Sequence, residues 1–385
     1  MTLQKSTDIV IINQDSGYLM IDIANYFADS GFSVTLITGR LVIRNNPLKD
    51  TVKVKKIIKY ERKTNFLKLV TWMIAFFQML VMVKCRFRKA SLFIVSNPPI
   101  STFLPIIVNN KFSLLIFDIY PDAISEMGFL KADSFILNVW ERANKKVFKK
   151  AESLFTISDG MKNCLQKYSG EKKIEVVPVW SDNEFMKPVP AEMNPFIRKH
   201  MLDGKFIVLY SGNIGTTQNI DALVDIAAEV KRTNIEFVII GDGSQRKYIE
   251  GLIKKYKLTN CILLPWQDNH DMPFSFAAAN IAVVSLGNLS SSLAIPSKFY
   301  NFLSVGAVIL GLAMPDTELE QMIEKFQVGC CFKPVDKNKI INYIYYLADH
   351  PEVCLSIQRN AISASRQFTS CNVKKFLPQL KADIP

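Results

Sequence analysis

The strongest constraint on the fold is an alternation, in which short apolar runs of strand length are followed repeatedly by amphipathic runs of helix length. Apolar runs of this kind suit strands buried on both faces, and the alternation places them in parallel sheets covered by helices. The chain opens with a strand at Asp8 to Asn13, a turn bearing Gly17, a helix from Met20 to Asp29 and a second strand at Ser33 to Ile37. Further strands are predicted at Leu92 to Val95, Leu114 to Phe117, Leu154 to Ile157 and Ile174 to Val177. Lys187, Pro188, Pro190 and Pro195 then interrupt the pattern, as a linker would. It restarts with strands at Phe206 to Tyr210, Glu236 to Ile240, Cys261 to Leu264, Ile281 to Val284, Val308 to Leu310 and Cys331 to Phe332. Two doubly wound α/β domains are expected, and the length of 385 residues agrees, since one core rarely serves so long a chain.

A net charge of +12 and a pI near 9.2 favour anionic partners: nucleic acid, anionic lipid or a phosphorylated ligand. The basic residues cluster beside apolar runs and form no groove-reading motif, which argues against nucleic acid. The seven cysteines lack paired metal-ligand spacing, and the adjacent Cys330 and Cys331 read as buried apolar residues. No cleavable signal segment precedes the first apolar strand, so a reducing cytoplasm is the expected location.

Ligands of open parallel sheets bind beyond the carboxyl ends of the strands. Three such places stand out in the second half. Tyr210 leads into Ser211-Gly212-Asn213-Ile214-Gly215-Thr216-Thr217-Gln218, where two glycines let backbone amides approach a ligand closely. Ile240 leads into Gly241-Asp242-Gly243-Ser244, a tight turn that backbone geometry alone could explain. Leu293 to Gly306, LAIPSKFYNFLSVG, has the makings of an anion-binding helix start. Pro296 and Ser297 suit a first turn, and Lys298 adds a full charge where free amides and the helix dipole favour phosphate. The plainer reading is an ordinary capped helix packing through Phe299, Phe302 and Leu303. In the first half, Phe117 leads into Asp118-Ile119-Tyr120-Pro121-Asp122, and Asn97-Pro98-Pro99 forms a similar loop. Asp118 is either a functional carboxylate or a solvated turn.

Taken together, the pieces resemble a GT-B glycosyltransferase of the retaining GT4 (group 1) family, within it the bacterial polysaccharide subgroup of capsule or O-antigen type. The resemblance rests on SNPPISTFLP at Ser96 to Pro105, FDIYPDAISEMG at Phe117 to Gly128 and TISDGMKNCL at Thr156 to Leu165. It continues through YSGNIGTTQNIDAL at Tyr210 to Leu223, IIGDGSQRKYIE at Ile239 to Glu250 and IPSKFYNFLSVGAVIL at Ile295 to Leu310. It implies two Rossmann-like domains facing a cleft. The first, 1–187, would bind the acceptor, and the second, 204–366, the nucleotide-sugar, with 188–203 as linker. A C-terminal helix, roughly Val373 to Leu380 within 367–385, would return toward the first domain.

By the same resemblance, Gly212, Asn213, Gly215 and Gln218 with Ser297 and Lys298 hold the donor diphosphate. Gly17 and Gly243 belong to the substrate-binding turns, and Trp266 and Gln267 flank the base. Asp118 positions the acceptor or sugar, and Lys298 stabilises the leaving diphosphate. No metal and no cofactor are implied, since no DxD occurs and positive charge with amide dipoles takes the metal's place. The family's paired glutamates fall at Leu293 and Asn301; asparagine keeps hydrogen-bonding capacity without the charge. His200, His270 and His350 fall in linker, loop or surface contexts. The donor is expected to be a UDP-sugar by family frequency, and the acceptor a polyprenyl-diphosphate-linked or other glycan. A UDP-sugar epimerase of the same architecture, or a nucleotide-sugar-binding scaffold, are the competing readings.

Between Lys68 and Lys84 runs LVTWMIAFFQMLVMV. A helix of about 15 residues would be roughly 22 Å long, short of a hydrocarbon core of about 30 Å. Lys53, Lys55, Lys56, Lys59, Arg62, Lys63 and Lys68 precede it, and Lys84, Arg86, Arg88 and Lys89 follow. This pattern suits a helix lying on an anionic membrane surface, with Trp72, Phe76 and Phe77 at the headgroup boundary. A helix apolar all round is also what a buried core helix looks like. Asp133 to Lys150, with Trp140, Arg142, Lys145, Lys146, Lys149 and Lys150, would extend the same face. The expected placement is peripheral, on the inner face of the cell membrane.

Overall fold

A computed structural model describes residues 8–61, 64–120, 134–287 and 295–377. Pro121, Asp122, Leu293 and the stretch 378–385 lie outside the described residues. The chain divides into two units, 1–179 with 370–385, and 180–369.

Unit 1 is built on seven parallel strands: β1 Asp8–Ile12, β2 Ser33–Thr38, β3 Lys53–Lys56, β4 Ser91–Val95, β5 Phe112–Ile116, β6 Leu154–Thr156 and β7 Ile174–Val176. Their spatial order is β3-β2-β1-β4-β5-β6-β7, the doubly wound arrangement with its reversal between β1 and β4. Ile9 to Ile12 and Leu92 to Val95 are almost wholly buried, as their unbroken apolar runs require. Strand β3 was not among the predicted strands. Its sequence, KVKK, is that of a charged sheet edge, which discourages pairing with another chain.

Three helices of unit 1 bear on its strand ends. Helix α1, Tyr18–Asp29, starts directly after Gly17, and its Phe27 packs edge-on against Phe93 at 5.5 Å. Helix α2, Asn65–Arg86, is capped by the Thr64 hydroxyl, which accepts from the Leu67 amide at 3.2 Å. It has 22 residues, and at 1.5 Å per residue it is roughly 33 Å long, half as long again as the apolar run suggested. Phe66–Arg86 is thus long and apolar enough to cross a membrane, but one side of it is committed to the unit 1 core. Trp72, Ala75, Met79 and Val83 are buried at 6%, 0%, 0% and 0% exposure. Helix α3, Phe135–Lys150, follows β5 and turns Leu137, Val147 and Phe148 into the core. The return of the chain is a 3-10 segment, Ser370–Phe376, where an α-helix from Val373 was expected. Phe376 closes the core, 5.4 Å from Phe93 and 4.9 Å from Phe155.

Unit 2 repeats the plan with six parallel strands: β8 Phe206–Ser211, β9 Ile235–Ile240, β10 Cys261–Leu264, β11 Ile281–Ser285, β12 Val308–Leu312 and β13 Gly329–Phe332. The order β10-β9-β8-β11-β12-β13 again reverses beside the first strand. Helix α4, Ile220–Glu229, comes after β8, α5, Arg246–Lys255, after β9, and α6, Ser297–Val305, after β11. The stretch 188–203, expected as a linker, lies inside unit 2. It contains the helical turn Pro195–Lys199, with Phe196 and Ile197 buried and the Asn194 amide donating to the Phe274 carbonyl at 2.9 Å.

Candidate functional site

In unit 2 the loops after β8, β9 and β11 lie in close backbone contact. Gly212 N donates to the Ile240 carbonyl at 3.0 Å, Ile214 N to Asp242 at 2.8 Å, and Gln245 N to Ile214 at 2.9 Å. A Cβ on Gly241 (φ 151°) would lie 1.9 Å from the Gly212 oxygen, and one on Gly243 (φ 152°) 2.4 Å from the Ile214 oxygen. These two glycines serve the approach of one loop to another, which is the turn-geometry reading sharpened. Gly287 does the same after β11, where a Cβ would meet the Thr217 carbonyl at 2.3 Å.

Pro296 is the N-cap of α6, and no side chain caps the helix, so the capping role expected of Ser297 is not seen. Lys298, in the first turn, reaches the β8 loop. Its ammonium stands 3.9 Å from the centroid of the Tyr210 ring, and a Cβ on Gly212 would sit 2.5 Å from Nζ. A side chain at Gly212 would displace the lysine from this position. Burial pulls Lys298 down to about 7. No carboxylate among the described residues pairs with it. An anion arriving here would meet an amine that no described carboxylate has engaged, and would favour its charged form.

The other predicted contacts fall unevenly. Gln218 Oε1 accepts from Gly215 N at 3.1 Å and from Asn213 Nδ2 at 3.3 Å, while the Tyr210 hydroxyl donates to the Asn213 carbonyl at 2.6 Å. Asn213, Gly215 and Gln218 therefore brace the loop, and Gly215 N is already used. Trp266 is 54% exposed after β10, and the Gln267 amide donates to Pro265 at 2.9 Å. Asn301 is buried at 5% exposure and accepts from the Ser181 hydroxyl at 2.9 Å. Its oxygen is engaged inside the unit, where the resemblance had put a ribose contact. Two residues were missed. Arg246 ties the loops by donating to the Gly241 and Leu264 carbonyls, and an arginine opening the helix after GDGS was the available signal. The buried Ser285 hydroxyl at the end of β11 has no hydrogen-bond partner among the described residues, and nothing in its sequence context marked it. Asp268, His270 and Asp271 come close enough to hold a cation, but they lie at the surface and Asp271 already pairs with Lys199 at 3.2 Å.

In unit 1, Asp118 follows β5 on a loop pinned by Ser96, whose hydroxyl accepts from Phe117 N at 2.9 Å and Asp118 N at 3.4 Å. The carboxylate keeps access to solvent, yet the surrounding protein desolvates it and raises it above the usual carboxylate range, with Lys68 opposing. A row of rings lies beside it. Trp72 stacks on Tyr60 at 6.1 Å and meets Tyr120 edge-on at 6.2 Å, and Tyr120 stacks on Trp140 at 6.0 Å. The Lys68 ammonium sits 5.0 Å above Trp72. Trp72 thus faces inward, contrary to the membrane contact expected of it; Phe76 is half-buried, and only Phe77 of the three is exposed, at 57%. Burial and the Asp118 charge raise the Tyr120 hydroxyl. Gly17 lies at the uncapped start of α1, with open space where a side chain would be. In the sequence Lys68 reads only as one of the basic residues flanking the apolar run, and Tyr120 is given no role although it sits inside the FDIYPD motif.

Two parallel doubly wound α/β units are the architecture of GT-B glycosyltransferases. Sucrose-phosphate synthase from Thermosynechococcus elongatus shares it, with a TM-score of 0.73 at 16% identity over 98% of this chain and 100% of its own. So does Anabaena HepE in complex with UDP-glucose, with a TM-score of 0.73 at 13% identity over 98% and 100%. At such identities the likeness is one of fold. Residues 194–364 match the family described as Glycosyl transferases group 1. "Probable glycosyltransferase WbjE" of Pseudomonas aeruginosa is 26% identical over 231 residues, 59% of this chain and 57% of that protein. WcaI of Escherichia coli (strain K12), whose name provisionally assigns it to colanic acid biosynthesis as a glycosyl transferase, is 27% identical over 187 residues, 48% and 46%. The chain spans about half the length of the curated relatives it matches. Unit 2 is therefore similar, over residues 194–364, to a group 1 glycosyl transferase domain, the family its motifs resembled.

Proposed function

We propose that the protein is a retaining, metal-independent glycosyltransferase that moves a sugar from a UDP-sugar to a lipid-linked acceptor of surface polysaccharide synthesis. One observation carries the reading: the Lys298 ammonium, without a described acidic partner, stands against the β8 loop at the uncapped start of α6. Such a site favours a diphosphate, because the helix dipole and the ammonium act on the same anion. The acceptor oxygen forms its bond to the anomeric carbon as the bond from that carbon to the diphosphate breaks. The acceptor's proton passes to the leaving phosphate oxygen on the same face. Lys298 stabilises the charge that develops on the diphosphate, and Asp118 orients the acceptor hydroxyl.

The outer side of α2 supports work at a membrane surface. Phe66, Leu69, Met73, Phe77 and Val81 are exposed at 73%, 56%, 49%, 57% and 59%, while Lys84 and Arg86 end the helix. Exposed apolar residues on one side and core residues on the other fit a helix lying in the interface, on the cytoplasmic side. UDP release should require both a UDP-sugar and a polyprenyl-diphosphate glycan, and should persist in chelator. Release of product isomer without acceptor would point to an epimerase; UDP binding with no turnover on any acceptor would leave a scaffold.

A further inference from the structure

Unit 1 has an apolar groove that neither the donor chemistry nor the outer side of α2 uses. It lies between the helical segments Pro99–Phe103 and Leu104–Ile107 on one side and α3 on the other. Phe103, Ile106, Ile107, Phe135, Val139 and Trp140 line it, and its volume of about 350 Å³ falls within the roughly 300–1,000 Å³ of ligand pockets. Phe135, Val139, Ile106 and Ile107 are exposed at 78%, 47%, 44% and 45%, a grouping that a free protein surface seldom carries without a use.

Two features say what it takes. Trp140 also lines the small pocket that Asp118 borders, so the groove and the acceptor carboxylate share a wall. The row Trp140, Tyr120, Trp72 then leads to the Lys68 ammonium. The exposed side of α3 also changes along its length, from Phe135 and Val139 to Arg142, Lys145, Lys146 and Lys149. An apolar slot bordered by positive charge and by a carboxylate offers complements to a hydrocarbon chain, a diphosphate and a sugar hydroxyl.

We propose that this groove binds the head-proximal isoprenoid units of a lipid-diphosphate acceptor, with the diphosphate-sugar head leaving at Trp140 toward Asp118 and Lys68. The inference rests on the lipid-linked acceptor of the proposed function and assigns it a place. It is tested by titrating full-length wild type, Val139→Asp and Phe135→Ser with farnesyl diphosphate, inorganic diphosphate and palmitate, with UDP binding as the control for folding. Both positions are well exposed, so the substitutions leave the core untouched. Wild type should bind farnesyl diphosphate about tenfold or more tightly than inorganic diphosphate, and each variant should lose about tenfold for the farnesyl compound alone. Equal affinity for the two diphosphates, or variants indistinguishable from wild type, overturns the assignment. Palmitate binding as tight as farnesyl diphosphate would make this a general acyl site and overturns it as well. If the titrations come out as expected while no isoprenyl-diphosphate glycan accepts sugar, the groove stands and the proposed reaction falls.

Discussion

The two units use one strand order for opposite ends. In unit 2 the loops beyond the sheet are held by glycines whose missing side chains let backbone lie on backbone, with Arg246 tied to their carbonyls and Lys298 without an acidic partner among the described residues. In unit 1 the corresponding ends carry side-chain chemistry: a hydroxyl-pinned carboxylate, stacked rings and a helix apolar on both sides. The difference teaches that the scaffold fixes where a site lies, while loop composition decides whether backbone or side chains do the recognising.

If that contrast is right, each unit can be damaged separately. The largest effect belongs to Lys298→Ala. Transfer should fall by roughly 10²–10³-fold, the loss typical of removing one group that stabilises developing negative charge, while farnesyl diphosphate binding to unit 1 stays as it was. Equal loss of both would break the division of labour.

Gly241→Ala comes next. Its Cβ would meet the Gly212 carbonyl at 1.9 Å and its backbone lies at φ 151°, so the loops must part. A cost of roughly 1–3 kcal/mol is expected, read as a lower unfolding midpoint and weaker UDP binding. Asn301→Glu sharpens the same contrast. Restoring the family's acid puts a carboxylate where Asn301 is 5% exposed beside Ser181, and should lower stability by roughly 1–3 kcal/mol instead of improving turnover. A faster enzyme of unchanged stability would show that Asn301 can open toward the ligand.

The smallest effect is a pH dependence. Burial holds Lys298 at about 7, below its ordinary 10.5, and a bound diphosphate would favour the charged form. UDP affinity should therefore decline as pH rises above about 7, and Lys298→Arg, which stays charged, should flatten the profile. The stability consequence has the opposite sign. Between about 7 and 10.5 the unfolded chain binds more protons at this position than the folded one, so this lysine's contribution to stability rises with pH across that window. A UDP affinity that is flat in wild type would remove Lys298 from the anion site.

Most of the scaffold could be read from the sequence because unbroken apolar runs such as Val10 to Ile12 and Val283 to Val284 have no other good fate than a doubly covered sheet. Both strand-end loops of unit 2 were legible for a similar reason: few residues but glycine tolerate such close backbone approach. What failed to show were facts of facing. The α2 sequence is apolar all round, so periodicity could not tell that Trp72 turns inward and Phe77 outward. Its length was hidden because Lys68 and Lys84 look like ends although the helix runs from Asn65 to Arg86. Strand β3 escaped because an edge strand can be charged on both sides. The engagement of Asn301 by Ser181 joins residues 120 positions apart, which no local pattern reports.

The route of the chain has a consequence for synthesis. Phe376 completes a cluster with Phe93 and Phe155, yet every residue of unit 2 is made before it. On the ribosome, unit 2 has its full complement of strands while the older unit still lacks a piece of its core. The part of the protein translated first is therefore the last to be finished, and until Phe376 emerges its apolar centre stands partly open.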